Sequence, residues 1–172
     1  MTDFDWKNIS FFSDLTEAEL DRVKPLFEVM GLEKGQKLIR EGDTGDHMYV
    51  LVEGKVRVTK SMMVEGLHLP LAEVRDPRKV LATLDSSACP IFGEIALLDE
   101  DLRSATVETV EDSRFLKTGR DEFYELLKRE PAIGCKLLTI LGKRLSSTIR
   151  RTNSELVKLT TALALALSQT KE

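Results

Sequence analysis

The chain has 172 residues, of which 42% are hydrophobic and 31% charged, with a net charge of −4. That is an ordinary globular composition, long enough for one domain with a real core plus an appendage. The acidic balance argues against a general nucleic-acid binder, and Cys89 and Cys135 stand far apart in no metal-ligand pattern, so both are expected to be free and structural.

The first ten residues, MTDFDWKNIS, are acidic and lack the apolar stretch of a signal peptide. The most apolar run, LTTALALALS, is too short and too interrupted to span a membrane. A cytoplasmic protein without a membrane partner is expected.

The first element lies in SDLTEAELDRVKPLFEVM. Thr16 and Glu19 make a capping box, and Leu20, Val23, Leu26 and Phe27 follow at helical spacing. The pattern predicts a helix from Thr16 to Phe27, bent or ended by Pro25. From Val29 to Lys117 the chain turns β-rich. MYVLV is a continuous apolar run of strand length, expected to be buried on both faces, while KVRVTK alternates as a half-buried strand does. Further strands are expected at Leu69 to Val74, Val80 to Leu84, Ser104 to Thr109 and Ser113 to Leu116. Many short strands with no helices between them predict a barrel or jelly roll.

The last part is helical. Thr118 or Asp121 is placed to cap DEFYELLKRE, and Pro131 opens a long helix reaching Ser168. Along it Leu145, Ile149, Thr152, Leu156, Leu159 and Leu163 recur at alternating spacings of four and three, a heptad seam of about two and a half repeats with one polar position. Two readings fit: an amphipathic helix packed on its own barrel, or a two-stranded coiled coil. The whole is read as an α+β protein, with a β-jelly-roll domain and helical lead-in over 1–130 and a long C-terminal helix, the candidate dimerisation element, over 131–172.

The stretch that carries chemistry is FGEIALLDEDLRSAT, Phe92 to Thr106. A short helical turn over GEIAL would present free backbone N–H groups, to which an anion binds readily, and Gly93 lets a ligand approach the backbone. Arg103 lies on the return of the loop, where its guanidinium can grip two oxygens of one phosphate. Glu94 would repel phosphate but accept hydrogen bonds from sugar hydroxyls. Ser104 can add a hydroxyl or backbone N–H, and Ile95, Leu97 and Leu98 would wall the site. A phosphate pole beside a hydroxyl-accepting pole fits a ribose cyclic phosphate. On charges alone, the alternative is a structural ion pair between Glu94 and Arg103.

This stretch resembles the phosphate-binding cassette of cyclic-nucleotide-binding domains: Phe-Gly-Glu, an apolar turn, a variable loop, then Arg, a small residue and Ala-Thr. EGDTGDHMYVLVEGKVRV resembles that family's paired glycine turns around a Met-Tyr strand, and FFSDLTEAELDRVKPLF its helical lead-in. The resemblance covers about residues 10 to 150. It implies that Glu94 binds the ribose 2′-hydroxyl, that Arg103 holds the cyclic phosphate, and that Gly93, Ala96 and Ser104 give backbone or hydroxyl contacts. It also implies that Thr148, in KRLSST, reaches an adenine amino group from the long helix, although a solvated helix residue fits there equally. Two features depart from the family pattern: Cys89-Pro90 stands near a usual glycine, and SMMVEGLHLPLAEVRDPRKV is longer and more charged than is common.

The implied function is a sensor of a cyclic mononucleotide, cAMP ahead of cGMP, acting as a homodimer on a downstream protein partner that the sequence does not identify. The alternative is a dimerisation or scaffold domain of the same fold that no longer binds nucleotide. A metal-dependent cupin would need a histidine cluster, but only His47 and His68 are present. An iron–sulphur sensor needs more cysteines, and a haem sensor using His68 leaves Glu94 and Arg103 unexplained. After Glu155 too little remains for a helix-turn-helix unit, so no DNA reading by this chain is expected. Nothing resembles a nucleophile–base pair, so no enzyme, catalytic cofactor or metal site is expected.

Overall fold

In the computed structural model, which describes residues 5–62 and 78–169, the lead-in forms two 3-10 turns, Trp6–Asn8 and Ser10–Phe12, followed by helix α1 (Glu17–Val23). The capping box is formed as expected: the Glu19 amide donates to Thr16 Oγ1 at 3.3 Å and the Thr16 amide to Glu19 Oε2 at 2.8 Å. The helix ends four residues sooner than expected. Pro25 has no N–H to continue the α pattern, and Lys24–Leu26 tightens into a 3-10 turn. Phe11 and Phe12 are fully buried, and Phe12 packs at 5.2 Å ring-centroid distance against both Trp6 and Phe27.

Two four-stranded antiparallel sheets follow: β1 (Glu28–Leu32), β8 (Ser113–Gly119), β3 (His47–Glu53) and β6 (Ile91–Phe92) in one, and β2 (Lys37–Ile39), β7 (Thr106–Thr109), β4 (Lys55–Ser61) and β5 (Arg78–Asp85) in the other, each in that spatial order. They enclose a barrel core of Ile39, Leu51, Val56, Phe92, Val107 and Phe115. The outer face of the first sheet is covered by helices through a second core that includes Phe12, Val23, Met48, Val50, Leu116, Phe123 and Leu137. Strand β3 therefore has both faces covered: Met48 and Val50 point to the helices and Leu51 to the barrel. That is the physical reason its sequence is apolar without alternation. β4 does alternate, with Val56 buried and Arg57 exposed.

The strand expected over Ser104 to Thr109 starts only at Thr106. The backbone of Arg103 is engaged elsewhere: its amide donates to Asp43 O and its carbonyl accepts from the Gly42 amide, both at 2.9 Å. β5 and β8 each run further than the spans expected for them. The strand expected over Leu69 to Val74, and His68, lie outside the described residues.

Helix α3 (Arg120–Arg129) is capped neither by Thr118 nor by Asp121. β8 runs straight into it, so Gly119 takes the cap position without a side-chain bond, Asp121 falls inside the first turn, and the buried Thr118 hydroxyl has no hydrogen-bond partner among the described residues. Helix α4 (Pro131–Gln169) is one continuous rod of 39 residues. Its first turns belong to the helix-side core through Ile133, Leu137, Ile140 and Leu141. From Ile149 onward the seam leucines are about 60% exposed, so packing against its own barrel does not account for them. Among the described residues, no helix is long and apolar enough to cross a membrane.

Candidate functional site

The site is built around Arg103, which is only 7% exposed. Its backbone is pinned to the Gly42–Asp43 turn, and its guanidinium donates from Nη1 to Gly93 O at 3.1 Å and from Nη2 to His47 O at 2.8 Å. One residue, through its backbone and its side chain, thus ties together the turn before β3, the first residue of β3 and the entrance to helix α2 (Glu94–Asp99). Two glycines make room for it. A Cβ on Gly93, whose φ is +79°, would strike Arg103 Nη1 and lie 2.7 Å from His47 O, and a Cβ on Gly45 would strike Arg103 Nε.

Burial lowers the pKa of Arg103, against which the fields of Tyr49, Asp46 and Glu94 support its charge. No carboxylate forms an ion pair with it among the described residues. Asp46 bonds His47 Nδ1 at 2.6 Å instead. A guanidinium satisfied by two neutral carbonyls keeps its net charge and its remaining N–H groups for an anion. The structural ion pair between Glu94 and Arg103, open on sequence alone, is not formed.

Glu94 begins α2. Burial pushes its carboxyl pKa up, while its own amide and the positive fields of Arg144 and Arg103 favour the anion. Arg144, on α4, shows the reciprocal pattern: burial lowers its pKa and Glu94 raises it. One carboxylate thus feels the fields of two cations, Arg103 from the barrel and Arg144 from the long helix.

The expected residues divide. Gly93, Glu94 and Arg103 come together. Ala96 is buried and contributes its carbonyl to Arg120 Nη2 rather than facing a ligand. Ile95 is 40% exposed and joins neither core, whereas Leu97 and, in part, Leu98 pack into the helix-side core. Ser104 is exposed, and its carbonyl accepts from Lys60 Nζ at 2.8 Å. Thr148 is exposed on α4, one helical turn beyond Arg144 and on the same face. It bonds to no other site residue.

Sequence reading missed Arg144, although KRLSST contains it, because spacing alone does not tell a helix cation that faces water from one in the field of a buried carboxylate. It also missed how α2 is held. Arg120 Nε donates to Leu97 O at 3.1 Å, Tyr124 Oη to Leu98 O at 3.4 Å, and Arg120 Nη1 lies 3.5 Å from Glu100. The last carbonyls of α2, orphaned by the end of the helix, are thus satisfied by α3. Cys89 explains one departure from the family pattern: at φ 42° it occupies a left-handed position that glycine usually fills, after the 3-10 turn Ser86–Ala88.

Comparison with known proteins adds three findings. The family model of the cyclic nucleotide-binding domain matches residues 29–130. The chain is 31% identical over 139 residues to the cyclic AMP receptor protein of Thermus thermophilus, covering 81% of this chain and 58% of that one, and 33% identical over 101 residues to human cGMP-dependent protein kinase 2, covering 59% and 12%. Its structure resembles the crystal structure of the Thermus thermophilus catabolite activator protein, with a TM-score of 0.68 and 30% identity, covering 88% of this chain and 63% of that one.

Proposed function

The chain belongs to the cyclic nucleotide-binding domain family, and we propose that it binds a cyclic mononucleotide, cAMP ahead of cGMP, and passes its ligand state through α4 to a downstream protein. The observation that carries this reading is the buried guanidinium of Arg103, held by two main-chain carbonyls and left without a carboxylate. A cyclic phosphodiester has one negative charge to offer it. Glu94, with Arg144 behind it, is an acceptor for the ribose 2′-hydroxyl. Gly93 and Ser104 border the phosphate pole, Ala96 backs it through the carbonyl held by Arg120, Ile95 lies at the edge of the site, and Thr148 lies where a base directed toward α4 would meet a hydroxyl. The two relatives are named for different cyclic nucleotides, one for cyclic AMP and the other for cGMP, so the preference for adenine rests on Thr148.

The mechanism is that of a sensor and involves no catalysis. Ligand on Gly93, Glu94 and Arg103 fixes the start of α2. The end of α2 is gripped by Arg120 and Tyr124, so a shift of α2 moves α3, and α3 leads through Glu130 into α4. Arg144 gives a second, direct route, since a ribose bound to Glu94 changes what Arg144 faces. The exposed seam from Leu145 to Leu163 pairs in parallel with a second copy, and the state of the site sets how the two rods meet. Isothermal titration with cAMP and with cGMP tests the reading. Heat of binding that saturates at one nucleotide per chain, tighter for cAMP, is expected. Absence of binding to either would leave a scaffold that has kept the fold alone.

A further inference from the structure

Lys60, near the end of β4, reaches across to the loop that follows Arg103. Its Nζ donates to Ser104 O at 2.8 Å and lies 3.5 Å from Glu41 Oε1. Glu41 is itself tightly held: its amide donates to Thr106 Oγ1 at 3.0 Å, and its Oε2 accepts from the Ser61 amide at 2.7 Å. The next residue, Gly42, donates to Arg103 O at 2.9 Å. The carbonyls of Arg103 and Ser104 are therefore fastened from one scaffold, the first by the Gly42 amide and the second by an ammonium anchored on Glu41. Half of the Lys60 side chain is exposed, at 52%, so its charge pairing with Glu41 adds little stability. What it does add is direction. A trans peptide is planar, so holding Ser104 O also orients the Ala105 N–H across the bond, and with the Arg103 carbonyl held as well it fixes the direction in which the Ser104 side chain leaves the backbone.

We propose that Lys60 is a positioning residue for the phosphate: by holding the Ser104 carbonyl, it aims the Ser104–Ala105 peptide and the Ser104 hydroxyl at one exocyclic oxygen, while Arg103 addresses the other. The proposal rests on the nucleotide reading above. It names a residue that touches no ligand and that neither motif nor spacing singled out. Lys60→Met keeps the aliphatic stem and removes the ammonium, whereas Lys60→Arg restores a donor of similar reach.

The test is competition binding of cAMP and of its two diastereomers in which sulfur replaces one or the other exocyclic oxygen, on the full chain. Loss of one indirect hydrogen bond should weaken cAMP about fivefold in Lys60→Met. The decisive readout is the ratio of affinities for the two diastereomers. Loosening only the Ser104 side makes sulfur there less costly, so the ratio should narrow by about the same factor, and Lys60→Arg should return both values toward wild type. The thermal midpoint should barely move in either variant, as for other exposed lysines. An unchanged ratio in Lys60→Met, whether cAMP affinity holds or both diastereomers weaken together, overturns the assignment. If the wild-type chain binds none of the three nucleotides, the nucleotide reading itself fails first and takes this one with it.

Discussion

Replacing Arg103 with leucine tests the centre of the site. Two separable losses follow from its surroundings. For the ligand, a phosphate would lose its pairing with the nearly buried guanidinium of Arg103, and breaking such a pair costs about 3 kcal/mol or more, a loss of over about 100-fold in affinity. For the fold, Gly93 O and His47 O each lose a donor, at about 1 to 3 kcal/mol per stranded carbonyl. That cost is partly offset, because the guanidinium removed was itself desolvated. The domain should therefore fold with a lowered thermal midpoint and an unchanged circular dichroism spectrum, yet show no titration heat with cAMP at micromolar protein. Arg103→Lys keeps the charge and gives up the fork, so an intermediate loss of about tenfold is expected. Glu94→Ala should cost less than Arg103→Leu, since it removes hydroxyl contacts and leaves the phosphate clamp. If Arg103→Leu binds cAMP within a few-fold of wild type, the phosphate does not lie on this guanidinium and the site is misassigned.

Three further outcomes are expected. Leu156→Glu with Leu159→Glu places like charges on the exposed seam, and light scattering should report a monomer that still binds nucleotide; an unchanged mass would mean the seam is not the interface. Thr148→Ala should narrow the gap between cAMP and cGMP by about 1 kcal/mol, the worth of one neutral hydrogen bond, and competition binding that shows cGMP preferred or the gap intact removes Thr148 from the site. Glu19 is held at a pKa of about 2, below the ordinary 4.5, chiefly by its bonds from Lys136 at 2.7 and 2.8 Å and then by the Thr16 amide. A lowered carboxylate pKa contributes stability that is full above pH 4.5 and is lost as pH falls toward 2. The difference in thermal midpoint between wild type and Glu19→Gln should therefore be largest above pH 4.5 and close between 4.5 and about 2; a difference that stays constant through that window would rule out this linkage.

The fold was legible where local chemistry is self-contained. The Thr16–Glu19 box needs four residues, and the unalternating MYVLV reports a strand covered twice; both can be read without tertiary knowledge. What could not be read depends on partners far along the chain. β7 starts late because Arg103 spends its backbone on residues some sixty positions away, and the cap of α3 is vacant because β8 leaves no loop. In the site, Gly93, Glu94 and Arg103 stood out because glycine, acid and base are rare neighbours in an apolar segment. Arg144 did not, since a cation on an amphipathic helix looks alike whether it faces water or a buried carboxylate. The inward packing of the short helix was not legible either: of the apolar residues in α2, Leu97 is fully buried while Ile95 stays 40% exposed. Cys89 shows a milder version, a side chain accepting the backbone angle at which a glycine would have been the signal.

The unbroken course of α4 has a mechanical consequence. Its core contacts end at Leu141, and some twenty-eight residues continue beyond them, about 42 Å at 1.5 Å per residue. A rod clamped at one end is a lever. A tilt of about 10° at the clamp, well within what repacking of a helix pair allows, carries the free end through about 7 Å, more than the rise of a full helical turn. After Pro131 the rod holds no proline, the commonest cause of a sharp kink, and it runs as one helix. The displacement from any tilt set at the clamp would thus be largest at the end of the helix furthest from the site.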